Sequence, residues 1–462
     1  MEAATLNLLW VGPLVGGLVG LFLHRKGIKL WIIIHGLLQF FLWGYLYWKY
    51  EGLGPVQEIP WFSIQEKSFY YHISIRPSNL WLLFLTILVG HSAMLYACSY
   101  VSRLRSFTVL FFFTIAFIQG VFLAGEVIIF FIFYEASLVP AFLLIYGWGS
   151  EGRRLAAVKF ALFTLGGSVL LLVGILWGLS ACEGGKWLDW QRACLPAGAW
   201  WLMSLGLAVK LPLIPLHAWL GDAHVEAEAP VSMLLAALLL KLGGYGLLNW
   251  VWRGEYAFIL RIWGGLSLLY ATGVAMAQQD LKRLIAFTSI AHMGLVAIGA
   301  GAQSHTGLQG AYHQLFTHGL VSAGLFAWIG YLEKKTGERN LSSLQGILYK
   351  DIRSQLPAIL LFFSAIGVPG SSLFISELLI IWGTGEGAGW LWAFVPALSL
   401  LLTAIYFLRA YRDLAKPNST TFISLRSPSY LPELIVWILL FISFLSGILP
   451  SPWLKVLAHA GY

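Results

Sequence analysis

The residues able to do chemistry stand out here because they lie inside otherwise apolar stretches. They are Glu135, Lys210, Lys241 and Glu377, with the histidines His292, His313 and His318. An ionisable group at membrane depth costs at least about 2.5–3.5 kcal/mol on insertion scales, so each is a functional candidate by default. Glu135 lies mid-stretch in Phe133-Tyr134-Glu135-Ala136-Ser137-Leu138-Val139-Pro140, and Lys210 precedes Leu211-Pro212-Leu213-Ile214-Pro215. Low dielectric penalises either charge, and an opposite charge beside it offsets the penalty. A Glu–Lys pair so placed can exchange a proton when its geometry shifts slightly, which is what a coupling element in a pump requires. A static ion pair tying two helices together is the structural alternative. Lys241 and Glu377 favour the first reading. Neither has a neutralising residue within a turn, and an isolated structural bridge would not need them.

His292 in Ala291-His292-Met293-Gly294 and His318 in Phe316-Thr317-His318-Gly319 have small neighbours that leave room for water. An imidazole there can take and give a proton near neutral pH; taken singly, each also reads as a satisfied core residue. His313 and His318 are poorly spaced on one helix for a single metal, which disfavours haem ligation. Asp222-Ala223-His224-Val225-Glu226-Ala227-Glu228-Ala229-Pro230 carries metal-ligand residue types. It reads more simply as a polar turn whose carboxylates suit the start of the next helix, with a role at a proton entrance left open. Asp280-Leu281-Lys282-Arg283 reads as a loop anchor, and Gly243-Gly244-Tyr245-Gly246 as close packing by small residues. Cys98, Cys182 and Cys194 fit no metal or cluster motif. Cys182 and Cys194 share a loop and a disulfide between them is conceivable, but free thiols are the favoured reading.

The elements that must position these residues follow from composition. The chain has 462 residues, 59% hydrophobic and only 11% charged, against about 25% charged in an ordinary soluble domain. So few charges cannot cover a soluble globule. The net charge of +8 comes with no long basic run, so it reads as loop charge that sets orientation rather than as a nucleic-acid surface. About fourteen stretches are long and apolar enough to span a bilayer, from Leu6–Leu23 to Leu431–Leu449. They are continuously apolar rather than alternating, which excludes a β-barrel. The expected fold is therefore an all-α polytopic bundle without a soluble domain. The longest connector, about Lys49 to Asn79, shows no clear periodicity. Lys and Arg concentrate in the odd-numbered loops, which places those loops on the negative side and both termini on the positive side. The opening Met1-Glu2-Ala3-Ala4 has no basic region before the first stretch and reads as a retained helix.

Prolines break two of the expected helices beside a charge. Pro212 and Pro215 follow Lys210 in the seventh, and Pro369-Gly370-Ser371-Ser372 precedes Glu377 in the twelfth. Such breaks survive at membrane depth only where protein or water satisfies the freed backbone. The broken helices are fourth in the sets 4–8 and 9–13, a pattern that points to two inverted five-helix repeats. The corresponding organisation is peripheral helices over 1–105, a first repeat over 106–252, a second over 253–412, and a last helix with the C-terminus over 413–462. There is no dinucleotide fingerprint, Walker loop or cysteine cluster.

Leu207-Ala208-Val209-Lys210 through Trp219, Ala223-His224-Val225-Glu226-Ala227, and Leu240-Lys241-Leu242-Gly243-Gly244-Tyr245-Gly246 resemble a known family. So do the run from Gln278-Gln279-Asp280 to His292-Met293-Gly294, and Thr317-His318-Gly319 with Leu325-Phe326. The sequence is similar to the antiporter-like subunits of proton-pumping NADH:quinone oxidoreductase, respiratory complex I, and most to the M or mitochondrial subunit 4 type. The resemblance covers roughly helices 3 to 14. It implies two inverted repeats and a central row of charges, with Glu135 and Lys210 as coupling pair, Lys241 as relay lysine, His292 and His318 at relay positions, and Glu377 ending the row. The acidic residue at 377, and a chain that stops soon after its last helix, favour the M type over the L and N types. Gly221-Asp222 departs from the usual pattern of the family before Ala223-His224. The resemblance implies no cofactor on this chain: NADH, FMN, iron–sulfur clusters and quinone belong to partner subunits. It implies a hetero-oligomer with other membrane-arm subunits, neighbouring antiporter-like chains among them, in contact with lipid and not with nucleic acid. The implied location is the mitochondrial inner membrane, with a bacterial plasma membrane as alternative. A subunit of a multisubunit Na⁺/H⁺ antiporter shares the motif set; a non-pumping spacer and a haem- or quinone-bearing subunit are the other rivals.

Overall fold

Backbone polar groups in lipid must be satisfied within the segment, so continuous apolar runs become helices. The computed structural model describes residues 2–50, 54, 56–64, 67–182, 184–187, 190, 195–416 and 430–458. The chain is predominantly helical, and eleven helices among the described residues are long and apolar enough to cross a membrane. The expectation of about fourteen differs in three places. The first helix has only a short apolar part, Thr5–Gly20. The other two are the proline-broken segments, which the structure divides into shorter helices.

The chain forms two compact units. The first comprises Met1–Pro212, Leu238–Trp252 and Val456–Tyr462; the second comprises Leu213–Ala237 and Arg253–Lys455. In the first unit, α1 (Glu2–Gly20) and α2 (Arg25–Tyr50) lead to a hairpin of β1 (Val56–Ile64) and β2 (Lys67–Ser74). The strands pair antiparallel from Val56 opposite Ser74 to Ile64 opposite Lys67, with an irregularity between Pro60 and Phe62. This hairpin occupies the connector that showed no periodicity. The reason is visible: β1 is exposed along almost its whole length, so no inside–outside alternation is written into it. Then come α3 (Pro77–Tyr100), α4 (Leu104–Leu123), α5 (Val127–Ala136), α6 (Leu138–Trp148), α7 (Arg153–Ala181) and α8 (Ala197–Lys210). Leu155, Leu162, Val169 and Leu176 recur every seventh residue along α7 and are all exposed. Such an apolar stripe suits a face turned to lipid.

In the second unit, α9 (Ala218–Glu226) precedes α10 (Ala229–Leu234). The chain continues through a π-helical turn, Leu235–Leu239, into α11 (Leu240–Gly246) and a second π-helical turn, Leu247–Val251, with Leu238–Trp252 belonging to the first unit. Next are α12 (Ala257–Ala277), α13 (Leu281–Ala300), the long α14 (His305–Thr336), α15 (Ile347–Lys350) and α16 (Ile352–Ile366). The chain ends with α17 (Ser372–Ala388), α18 (Trp390–Ala415), α19 (Leu431–Ile448) and α20 (Ser451–Ala458). Small residues bring helices together in each unit: a Cβ at Gly206 would meet Leu171 N at 2.8 Å, and one at Gly294 would meet Gly264 O at 2.7 Å.

Candidate functional site

The sequence places Lys210 before two prolines, and helix α8 ends on that lysine. A cation is favoured at a helix C-terminus, where the carbonyl dipoles point outward. Its Nζ donates to Tyr134 O at 2.8 Å and reaches Ser137 Oγ at 3.4 Å. It also stands over the Tyr134 ring, 3.4 Å from the centroid. The Tyr134 carbonyl is available because α5 stops at Ala136 and α6 starts only at Leu138. Lys210 is therefore docked on the turn that carries Glu135. The Glu135 carboxylate itself bonds the hydroxyl of Ser168 on α7. The structure thus brings the expected pair together around one helix break. The bonds of each run to a carbonyl or a hydroxyl.

Lys241 is fully buried in α11, between the two π-helical turns. Single-turn π segments often accompany functional positions. Gly243, two residues on, sets this helix against the end of α8: a Cβ there would meet Leu207 O at 2.7 Å and Lys210 C at 2.9 Å, and Leu211 N closer still. So the expected reading of the glycine run as close packing is what is seen, and what it packs against is the Lys210 backbone.

In the second unit, His292 on α13, His318 on α14 and Glu377 on α17 come together. His292 Nε2 lies 3.7 Å from Glu377 Oε1, beyond a direct hydrogen bond and within reach of one bridging water. The His292 and His318 rings meet edge to face, 5.2 Å between centroids. The twelfth expected helix is divided as the prolines required. Helix α16 ends at Gly367, whose φ of 77° suits glycine, and α17 starts after Ser371, which caps it by accepting from Phe374 N–H at 3.4 Å. Glu377 Oε2 lies against Gly367, where a side chain would collide with it. His313 is buried on α14, with its ring 6.4 Å from that of Phe316.

Sequence reasoning missed the hydroxyl groups that bond the first pair of charges and a hydroxyl pair next in sequence to the second cluster. Ser137 and Ser168 serve the first cluster. In the second, Thr317 Oγ1 and Ser376 Oγ are 3.0 Å apart, and Ser376 Oγ also donates to Leu373 O at 2.9 Å. The available signal was positional: Thr317 directly precedes His318 and Ser376 directly precedes Glu377.

The acidic segment after the seventh helix engages basic side chains. Asp222 bonds Arg283 at 2.9 Å and Glu228 bonds Lys334 at 3.1 Å. Lys282 donates to Ala227 O at 3.1 Å and Arg339 to Val225 O at 2.8 Å, while the His224 ring stacks on Phe326 at 4.4 Å. Among the described residues no group of three His, Cys, Asp or Glu side chains is placed to hold a metal. Asp280 anchors its loop as expected, capping α13 through Arg283 N–H at 3.1 Å and pairing with Arg339 at 2.7 Å. Cys98 is a free, buried thiol; Cys194, and with it the Cys182–Cys194 pairing, lies outside the described residues.

Fold and site together define a polytopic helical membrane protein with ionisable side chains held at breaks in its spanning helices. The profile described as NADH:quinone oxidoreductase/Mrp antiporter, TM matches residues 124–403, a range that holds every expected site residue. The chain belongs to this family. It is 31% identical to NADH-quinone oxidoreductase subunit M of Rickettsia bellii over 451 residues, covering 92% of this chain and 89% of the relative. Among solved structures it superposes on a chain of respiratory complex I from Thermus thermophilus with bound NADH, with a TM-score of 0.87, 25% identity, and coverage of 99% of this chain and 100% of that one. A chain of the Mrp complex from Dietzia shares the fold, with a TM-score of 0.86, 18% identity, and coverage of 99% and 96%. The kinship expected from the Lys210, Lys241 and His318 motifs is borne out.

Proposed function

We propose that the chain is the M-type antiporter-like subunit in the membrane arm of a proton-pumping NADH:quinone oxidoreductase. In this reading it translocates protons while quinone is reduced elsewhere in the complex. The observation that carries the reading is Lys210. A fully buried ammonium rests on a carbonyl freed by a helix break, beside a carboxylate that has its own hydroxyl partner. A small shift of either helix end exchanges carbonyl for carboxylate as the partner of the ammonium, and the free energy of the proton changes with it. Glu135, Lys210 and Lys241 handle the proton in the first unit, and His292, His318 and Glu377 in the second. The two helix breaks support inverted repeats over 106–252 and 253–412. No redox group is assigned to this chain; NADH, FMN, iron–sulfur clusters and quinone are assigned to partner subunits of a hetero-oligomer. The bacterial relative supports a bacterial plasma membrane, with the mitochondrial inner membrane as alternative and both termini on the positive side.

Lys210→Met and Glu135→Gln in the assembled complex test the reading. Each is expected to cut coupled electron transfer severely while a native gel shows normal assembly. Full proton pumping in either variant overturns it. The shared fold with an Mrp chain motivates a second reading, a Na⁺/H⁺ antiporter subunit. That reading requires sodium-dependent proton exchange in vesicles without NADH, and migration apart from a large NADH-active band.

A further inference from the structure

Where several spanning helices of the first unit end, the connecting segments enclose a cavity that the coupling residues do not use. The β1–β2 hairpin joins α2 to α3, Arg76 immediately precedes α3, Ala124–Glu126 joins α4 to α5, and Lys186 lies beyond the end of α7. Backbone bonds tie these segments together: Gly125 N–H donates to His72 O at 2.8 Å and Trp187 N–H to Gly125 O at 2.9 Å. The cavity between them measures about 520 Å³ and is lined by Val56, Glu58, Ile75, Arg76, Lys186 and Trp187 among others. That falls within the roughly 300–1,000 Å³ of small-molecule sites.

Its charges do not balance. Lys186 is paired with Glu58 at 2.6 Å and stands 4.0 Å over the Tyr70 ring. Arg76 is 7% exposed, and none of its hydrogen-bond partners is a carboxylate. Its Nη2 donates to Ala124 O at 2.6 Å and to Tyr245 Oη at 2.8 Å. Its Nε–H and the two N–H of Nη1 have no partner among the described residues. The Trp187 ring covers the guanidinium, 5.0 Å from ring centroid to Cζ. Stacking of this kind leaves the donors at the edge of the cation free for an acceptor in its plane. Trp187 Nε1 is a further buried donor without a partner. The Glu126 carboxyl is not the missing counter-charge: Oε2 accepts from Tyr70 N–H at 3.2 Å and Oε1 lies against Gly185. Burial pushes that carboxyl up to about 7, so it is only partly ionised near neutral pH. A buried cation with unmet donors is costly, and an anion with several acceptor oxygens removes that cost.

We propose that this cavity is a phosphate-oxyanion site, in which Arg76 and Trp187 hold the phosphodiester of a lipid headgroup. The charge matches: a phosphodiester carries one negative charge, and Arg76 supplies the one positive charge that no carboxylate meets. The donors match too, because guanidinium N–H groups suit phosphate oxygens. The place fits a headgroup, since the cavity lies at the ends of spanning helices, where basic pockets take lipid phosphates. Ile75 and the half-exposed Val56 give it an apolar wall on which glycerol carbons can rest. Free phosphate is the other source of the same chemistry.

The proposal stands apart from the translocation reading, and equilibrium binding to the intact complex tests it. The complex is washed free of loosely held lipid in a maltoside detergent. It is then dialysed against radiolabelled dihexanoyl-phosphatidylglycerol or radiolabelled orthophosphate. The wild type is expected to hold one more equivalent of the lipid than Arg76→Gln, whose affinity at this site should fall at least about tenfold. Val56→Trp keeps every donor and fills the cavity from its exposed rim, so it should lose the same equivalent. A difference with orthophosphate and none with the lipid keeps the oxyanion site and makes its source free phosphate. Equal binding of both probes by the wild type and by either variant that assembles overturns the proposal, and water or a neighbouring subunit then fills the cavity. Should Arg76→Gln fail to assemble on a native gel, Val56→Trp alone decides, by loss or retention of that equivalent.

Discussion

Gly243 offers the sharpest test of how the first cluster is built. A methyl group at this position would sit 2.7 Å from Leu207 O and 2.9 Å from Lys210 C, with Leu211 N closer still. All three are backbone atoms of α8 and its C-cap residue Leu211, so no side chain can rotate out of the way. Ordinary contact begins near 3.5 Å. Gly243→Ala must therefore push α11 and the end of α8 apart by roughly 0.5–1 Å. Overpacking of this kind costs about 1–3 kcal/mol, and about 1 kcal/mol returns from alanine's better helix propensity. The net loss of stability is modest, and the complex should assemble. The functional loss should be larger, because Lys210 holds the Tyr134 carbonyl through one 2.8 Å contact, and a displacement near 1 Å can cost on the order of 100-fold in a positioned reaction. Coupled turnover and proton yield in vesicles should fall at least about tenfold, with assembly judged on a native gel. Gly246→Ala is the control on the same helix. Its nearest neighbours are side-chain atoms of Leu207 and Phe130, which can give, so it should retain most activity. Wild-type proton yield in Gly243→Ala would refute the argument that backbone contact between these helices sets the lysine geometry.

The remaining predictions concern charge. Between the ordinary value of 4.5 and the raised value of about 7, folded protein keeps the Glu126 proton that the unfolded chain has lost. Stability should therefore fall as pH rises through that window, by at most about 3 kcal/mol. Glu126→Gln should flatten that slope in thermal melts from pH 5 to 8, and an unchanged slope would assign it to other groups. Lys282 is 3% exposed and pairs with Glu333 at 2.8 Å, so Glu333→Ala leaves a buried ammonium with one carbonyl and should cost about 2 kcal/mol in a melt of the solubilised complex. Arg283 and Asp222 are both partly exposed; Arg283→Ala should change stability by less than about 1 kcal/mol. A large drop in turnover with unchanged stability would instead give that pair a part in proton entry. Glu377→Gln should lower coupled turnover as severely as Lys210→Met, and a normal proton yield would remove Glu377 from the relay.

Much of the positioning was legible because membrane depth leaves few options. A charge amid apolar residues, as at Lys241 or Glu377, is visible at once, and prolines at 212, 215 and 369 mark where helices must stop. What was not legible depends on distant pairs. Ser168 meets Glu135 from another helix, and no local pattern announces it. The break between α5 and α6 is marked in sequence only by Ser137 before Leu138, with Pro140 two residues further on. The hairpin at Val56–Ser74 stayed hidden because one strand is exposed on both faces. Nothing local announces the burial of Glu126, which comes from β2 and from Gly185, segments far away in the chain.

The two clusters share a physical plan that also explains why direct ion pairs are scarce in them. In the first, the ammonium of Lys210 sits on a carbonyl and the carboxylate of Glu135 on a hydroxyl. In the second, Glu377 Oε1 lies 3.7 Å from His292 Nε2, beyond a direct hydrogen bond. A contact ion pair in a low-dielectric interior is a deep well, and breaking it leaves an uncompensated buried charge. The dipoles at Lys210 and Glu135 solvate each charge more weakly and leave its neighbour within reach, so the states with the proton on either side differ by less. The glycines then do a specific job: Gly243 lets one helix touch the backbone at Lys210, and Gly367, at φ 77°, both turns the chain and makes space for the Glu377 carboxylate. Adding a methyl group at either position moves a charge relative to its dipoles without changing any ionisable residue. If proton transfer depends on that balance rather than on the mere presence of Lys210 and Glu377, Gly367→Ala should impair pumping as Gly243→Ala does, with every titratable side chain intact.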